Sequence, residues 1–216
     1  DFGSKIKRIK GDFKNLNQLM NIIKKNKINT IIHLGASTQV IDSYKNPYDT
    51  FQTNIIGTIN ILEAVRIINK NINILFSSTV KAYGKMVKKS YKETDPLHGD
   101  LPDEVSKSAA DLVAQSYAKT YGLRVGIFRS CNIYGPADFN MDRLIPGTII
   151  KALRGKPIKL RTSGRLKRDY LYVDDASNAF YKLILQMNKN VKKNLFIYNL
   201  GSKFNLSSLE VVKWIY

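Results

Sequence analysis

A doubly wound α/β fold, a parallel sheet with helices on both faces, is what this 216-residue chain predicts. Three observations carry that expectation. Short apolar runs of strand length alternate with longer segments of helical periodicity, the connectors between them are short, and strand–helix–strand repetition needs crossovers that cover both faces of a parallel sheet.

In chain order, residues 6–9 predict a brief strand. Residues 16–25 predict a helix, with Leu16, Leu19, Ile22 and Ile23 on one side, and 28–34 a buried strand. Pro47 opens a long helix over 48–68, where Phe51, Ile55, Ile56, Ile59, Leu62 and Val65 recur at helical spacing. Residues 72–77 form the next apolar strand. A loop rich in Lys, Gly and Pro follows (84–102), then a helix over 105–121 ended by Gly122 and a strand over 123–129. From Asn132 the texture changes to loops holding Gly135, Pro136, Pro146 and Pro157. Helices are expected at 145–153, 176–186 and from about 207, with strands around 170–173 and 195–199. The chain therefore divides into a first domain over 1–135 and a smaller lobe over 136–216, interleaved with it.

A content of 44% hydrophobic and 10% aromatic residues suffices for a packed core, which excludes a disordered tail or a disulfide-stapled miniprotein. Cys131 is the single cysteine, so no internal disulfide can form and a cytoplasmic setting is expected. No run approaches the roughly 18 apolar residues of a membrane span, and the opening DFGSKIKRIKGD lacks the apolar core of a signal peptide, so no membrane partner is expected. Lys and Arg number 35 against 17 Asp and Glu, a net charge of +18. These lysines are spread among Asn and Ile instead of forming one stripe, which argues against nucleic acid as the partner.

The 13 glycines are scattered singly, and no Gly-x-Gly-x-x-Gly follows a strand. His33, His98 and Cys131 do not compose a zinc site, so no metal is expected. Ser77 and Ser78 lack the surroundings of a nucleophile elbow. Asp103 precedes Lys107 by four residues, on one helical face, and an ion pair between them is expected.

Seven segments in order carry a resemblance: HLGASTQV (33–40), TNIIGT (53–58), SSTVKAYG (77–84), EVSKSAADL (104–112), RSCNIYGP (129–136), RLIPGTI (143–149) and KRDYLYVDDAS (167–177). Together they resemble the NAD-dependent epimerase/dehydratase family of extended short-chain dehydrogenase/reductases, most nearly its CDP-glucose 4,6-dehydratase type. The resemblance implies a Rossmann-like sheet, NAD as cofactor, a nucleotide-sugar substrate, and a homodimer formed through the helices around 48–68 and 105–121. It also implies an upstream strand, glycine-rich turn, helix and second strand, so the natural protein is expected to be longer than this sequence.

By the same resemblance, cofactor contacts fall on Asp12, Phe13, Leu34, Gly35, Ala36, Thr38, Thr53, Asn54, Ser77 and Lys107. Substrate contacts fall on Thr38, Thr79, Asn132, Arg143, Leu144, Arg161 and Arg168, whose guanidinium groups can fork onto a diphosphate. The catalytic set is Thr79, Lys81, Asp103 and Lys107. The family places a tyrosine base four residues before the lysine, and here that position is Asp103. In dehydratases it also places an aspartate directly after the Ser/Thr that Thr79 matches, and here that position is Val80, followed by the Lys81 typical of the CDP-glucose type. A carboxylate of reference pKa about 3.9 is a much weaker base than a phenolate, so impaired turnover is expected. Tyr83 and Tyr134 belong to motifs kept alongside the catalytic tyrosine and are expected to pack or to wall the site. Asp169, Asp174 and Asp175 are expected as helix-start caps and supporting partners.

Overall fold

The computed structural model describes residues 6–216 except 86, 87, 89, 161 and 203. Helix α1 (Leu16–Lys25) begins where the Asn15 side chain accepts a hydrogen bond from the Gln18 amide. Strand β1 (Thr30–His33) and the short helices α2 (Val40–Lys45) and α3 (Pro47–Phe51) follow. A single π turn (Gln52–Ile56) joins α3 to α4 (Gly57–Ile68). Next come β2 (Asn73–Thr79), a 3₁₀ turn (Val80–Tyr83), α5 (Pro102–Tyr121) and β3 (Arg124–Ser130). The remainder is β4 (Asn132–Tyr134), α6 (Leu144–Leu153), β5 (Lys167–Tyr172), α7 (Val173–Lys189), β6 (Leu195–Leu200), β7 (Asn205–Ser207) and α8 (Ser208–Ile215).

Strands β1, β2, β3 and β6 pair in that order, all parallel. Because β2 and β3 are covered on both faces, they read as near-continuous apolar runs, and every residue of β3 is buried. One face packs Ile74, Val125 and Ile127 against α1, α4 and α5, through Ile23, Leu62, Val65, Ala110, Ala114 and Ala118. The other packs Leu75, Phe128 and Phe196 against Leu183 and Met187 of α7. Strand β3 runs through Cys131 directly into β4, which pairs parallel with β5, itself antiparallel to β7. The small sheet thus starts at the carboxyl edge of the large one, and β6 returns from the C-terminal region to complete the large sheet. Among the described residues, no helix is long and apolar enough to cross a membrane.

Several expectations are corrected. Residues 6–9 form no strand: Ile6 and Ile9 are exposed, and no described strand lies beside them to complete a ladder. The helix expected over 48–68 is interrupted by the π turn, which buries Asn54. Helix α5 starts at Pro102, a favoured first-turn residue, and not at 105, which places Asp103 in its first turn. Helix α2 and strands β4 and β7 were not expected, since three to six residues are too few to establish a period. Tyr172 occupies the N-cap of α7 without a side-chain cap; Asp174 and Asp175 lie in the first turn, where their charge complements the helix dipole.

Candidate active site

Parallel strands end in a row, and residues at or just beyond the ends of β1, β2 and β3 line one cleft of about 810 Å³. From β1 come Leu34, Ala36 and Thr38; from β2 Ser77, Ser78 and Thr79; from β3 Ser130, Cys131 and Asn132. Lys81 of the 3₁₀ turn and Asp103 and Lys107 of α5 line the same space. The C-terminal region supplies the opposite wall through Arg143, Leu144, Arg168 and Tyr170. Of the residues singled out in the sequence, twelve therefore share one cavity: Leu34, Ala36, Thr38, Ser77, Thr79, Lys81, Asp103, Lys107, Asn132, Arg143, Leu144 and Arg168.

The Thr79 hydroxyl accepts a hydrogen bond from the Lys81 amide at 3.3 Å, capping the 3₁₀ turn and fixing the strand end. Lys81 Nζ reaches Asp103 Oδ2 at 3.2 Å. The ion pair expected between Asp103 and Lys107 is thus formed by Lys81 instead. A lysine from a neighbouring turn can approach the carboxylate in a way that i, i+4 spacing alone does not reveal. Asp103 is 5% exposed, and its other oxygen, Oδ1, is buried without a hydrogen-bond partner among the described residues. Lys107 forms no hydrogen bond or ion pair among the described residues. Burial pushes its ammonium down to about 8; the Asp103 charge opposes that shift and the Lys81 charge adds to it.

Other sequence candidates lie elsewhere. Asn54 spends its amide inside the protein: Oδ1 accepts from the Ser37 amide at 2.7 Å, and Nδ2 donates to Ser37 O at 3.0 Å and to Ser106 Oγ at 2.8 Å. It clamps the loop after β1 onto α5, and Thr53 beside it does not line the cleft. Asp12 is exposed, its carboxylate accepting from the Lys14 amide at 2.9 Å, and Asn15 caps the helix that follows. Phe13 packs edge-on against His33 and beside Gly35 and Gly57; a Cβ at Gly57 would lie 2.2 Å from its ring. Gly35 is thus explained by packing against Phe13. Arg161 lies outside the described residues. His33 is a core histidine: its Nε2 lies 3.0 Å from Thr58 Oγ1, it stacks on Phe76, and burial, helped by the Lys107 charge, holds it down to about 4. Among the described residues no cluster could hold a metal.

Beneath the cleft lies a buried polar network that the sequence reading missed. The Arg129 guanidinium, 1% exposed, forks onto Asp111, 0% exposed, through Nε at 3.0 Å and Nη2 at 3.1 Å. Its Nη1 donates to Tyr83 Oη at 2.8 Å and to Glu93 O at 2.9 Å. Asp111 also accepts from Ser78 Oγ at 2.6 Å, and Tyr83 Oη donates to Asn199 Oδ1 at 2.6 Å. Tyr83 therefore packs under the site, as expected, while Tyr134 stands against Tyr172 and lines the cleft. An arginine within the buried run RVGIFRS was the available signal, because a buried guanidinium demands an anion.

A model of the NAD dependent epimerase/dehydratase family matches residues 3–201. The dTDP-D-glucose 4,6-dehydratase of Dictyostelium discoideum is 34% identical over 220 residues, covering 95% of this chain and 48% of that protein. The dTDP-glucose 4,6-dehydratase of Haemophilus influenzae is 35% identical over 216 residues, covering 95% of this chain and 62% of that protein. Among solved structures, the dTDP-glucose 4,6-dehydratase of Bacillus anthracis in complex with NAD superposes with a TM-score of 0.81 at 31% identity, covering 96% of this chain and 62% of that one. The chain spans about half to just under two thirds of the length of these relatives.

Proposed function

Because the chain belongs to the NAD dependent epimerase/dehydratase family, we propose that it is a nucleotide-sugar 4,6-dehydratase-like protein that binds NAD and an NDP-hexose of the CDP-glucose kind, with turnover impaired at its proton-handling positions. The single observation that carries this reading is a cleft at the carboxyl ends of parallel strands in which Thr79 and Lys107 stand together and the place of the tyrosine base holds a buried, ion-paired Asp103.

The cleft suits a dinucleotide in two respects. Small side chains (Ala36, Ser77, Thr79) form its floor where strands end, and Ser130 Oγ and Asp103 Oδ1 lie buried in its wall with unmet hydrogen-bonding capacity. When bound, NAD supplies a hydride acceptor for the sugar carbon that is oxidised. Leu34, Ala36, Thr38 and Ser77 would hold it, and Arg143 and Arg168 on the facing wall would hold the diphosphate of the sugar nucleotide. The Thr79 hydroxyl orients the sugar oxygen. Asp103, its charge engaged by Lys81, is too weak a base to remove a hydroxyl proton efficiently. Val80 has no proton to give a departing hydroxyl. Lys81 supports the cytidine assignment, through the likeness of SSTVKAYG to the CDP-glucose type.

Two alternatives rest on particular residues. Val80 favours a 4-epimerase, which needs no acid there, and the Asp103–Lys81 pair favours a silent binder of nucleotide sugar. Calorimetry of full-length, NAD-loaded protein with CDP-, dTDP- and UDP-glucose, run beside an assay for 4-keto product, separates these. We expect binding strongest for CDP-glucose, with product formed far more slowly than by a tyrosine-bearing relative. Absence of binding to all three refutes the reading, product at the relative's rate refutes the impairment, and a 4-epimer without 6-deoxy product identifies an epimerase. Exposed Tyr48, Ile67, Leu112 and Tyr121 on α3, α4 and α5 support a homodimer through these helices, which sedimentation would detect.

A further inference from the structure

With the tyrosine position filled by a carboxylate, the cleft still holds a group able to take a proton. We propose that Lys107 itself, as the free amine, is the proton acceptor for the sugar hydroxyl in this chain. The inference rests on the proposed function.

Geometry argues for it first. Lys107 and Thr79 line the same cavity, so a sugar hydroxyl held by Thr79 lies in the space that the amine also lines. Asp103, one turn before Lys107 and best placed to hold it as an ammonium, is instead bonded to Lys81 at 3.2 Å. Lys107 has no hydrogen bond or ion pair among the described residues, and only the more distant Asp103 charge favours its ammonium. The titratable groups that face it are Asp103 on its own helix, Lys81 on the 3₁₀ turn and His33 on β1. His33 is held neutral at physiological pH, so among the described residues the cationic group that acts on Lys107 is Lys81. Burial and that charge outweigh Asp103 and bring Lys107 down to about 8, close enough to neutral pH for a fraction of roughly a tenth to stand as the free amine at pH 7.

The step balances. The sugar O–H bond breaks and an N–H bond forms on Lys107, giving the ammonium. The C–H electron pair of the same carbon leaves as hydride to oxidised nicotinamide, and the C=O double bond forms. The ketone is left with no acid at position 80, so loss of water is the slow step.

Carbon-13 NMR of full-length protein labelled at lysine Cε, with Lys107→Arg as the assignment, tests the amine directly and needs no substrate. We expect one resonance, absent in the variant, to titrate near pH 8. Lys81→Met frees Asp103 for Lys107 and should move that titration upward, and Asp103→Asn should move it down. A Lys107 resonance titrating near 10.5, the ordinary lysine value, overturns the proposal. In the second arm, reduction of bound NAD by nucleotide sugar should rise with pH to half-maximum near 8, move upward in Lys81→Met and vanish in Lys107→Arg. A protein that binds nucleotide sugar, with Lys107 titrating near 8 but reduction indifferent to pH or to Lys107→Arg, overturns the base role and leaves the binding function standing. A protein that binds no nucleotide sugar overturns both.

Discussion

Replacing Asp111 by alanine tests whether the buried network beneath the cleft holds the site together. In the native protein the Arg129 charge is fully buried and meets Asp111 through two hydrogen bonds, at 3.0 and 3.1 Å. Burial works against that charge, yet the Asp111 bonds and charge, with help from Tyr83, hold the guanidinium above its ordinary value. Removing the carboxylate leaves Arg129 uncompensated, which costs about 3–5 kcal/mol for a buried pair broken on one side. Ser78 and Gln115 lose their acceptor as well, which places the expected loss at the upper end of that range. At roughly 2–4 °C per kcal/mol for a chain of this size, the midpoint of thermal unfolding should fall by about 8–20 °C, read by circular dichroism. The variant pair Asp111→Leu with Arg129→Met removes both charges and should recover most of the loss, because a desolvated ion pair contributes little over an apolar replacement. A drop below about 2 °C in Asp111→Ala, or a double variant as unstable as the single, refutes the reasoning.

Three further outcomes follow from the structure. Asp103→Tyr combined with Val80→Asp restores the family's base and acid and should raise 4-keto-6-deoxy product formation by roughly two orders of magnitude or more, the usual range for a positioned proton-transfer group; no gain in a folded, NAD-loaded variant shows that these positions are misassigned. His33 is lowered from 6.5 to about 4, so the unfolded chain takes up a proton that the folded chain refuses; stability is fully present above pH 6.5 and falls as pH drops toward 4. The gap corresponds to about 3 kcal/mol, and urea unfolding at pH 7 and pH 4.5 should show that part of the slope lost in His33→Phe. Gly99→Ala puts a Cβ 2.5 Å from the Val105 amide nitrogen, against rigid helix backbone, and should displace the first turn of α5 that carries Asp103; a loss of about 1–3 kcal/mol is expected in urea unfolding, and an unchanged midpoint contradicts the contact.

What could be read from the sequence divides along a physical line. Strands β2 and β3 and helices α1 and α5 were legible because burial imposes a period, and a period is local: ILF and VGIF announce strands covered on both faces, and Leu16, Leu19 and Ile23 announce one apolar face. The strand expected over 6–9 fails for the complementary reason, since a strand exists only with a partner to receive its backbone bonds, and none is described beside it. The candidate site was legible as motifs, and twelve of the positions converge on one cleft. Its electrostatics were not legible. The spacing of Asp103 and Lys107 favours an ion pair along one helix, yet Lys81, 22 residues earlier in sequence, takes the carboxylate. The internal bonds of Asn54 were not legible either, because the π turn aims its amide at Ser37 and Ser106. Charges and amides choose partners by distance in space, and only the packed sheet, by bringing the end of β2 against the start of α5, decides which lysine pairs with Asp103 and which, among the described residues, is left without an ion pair.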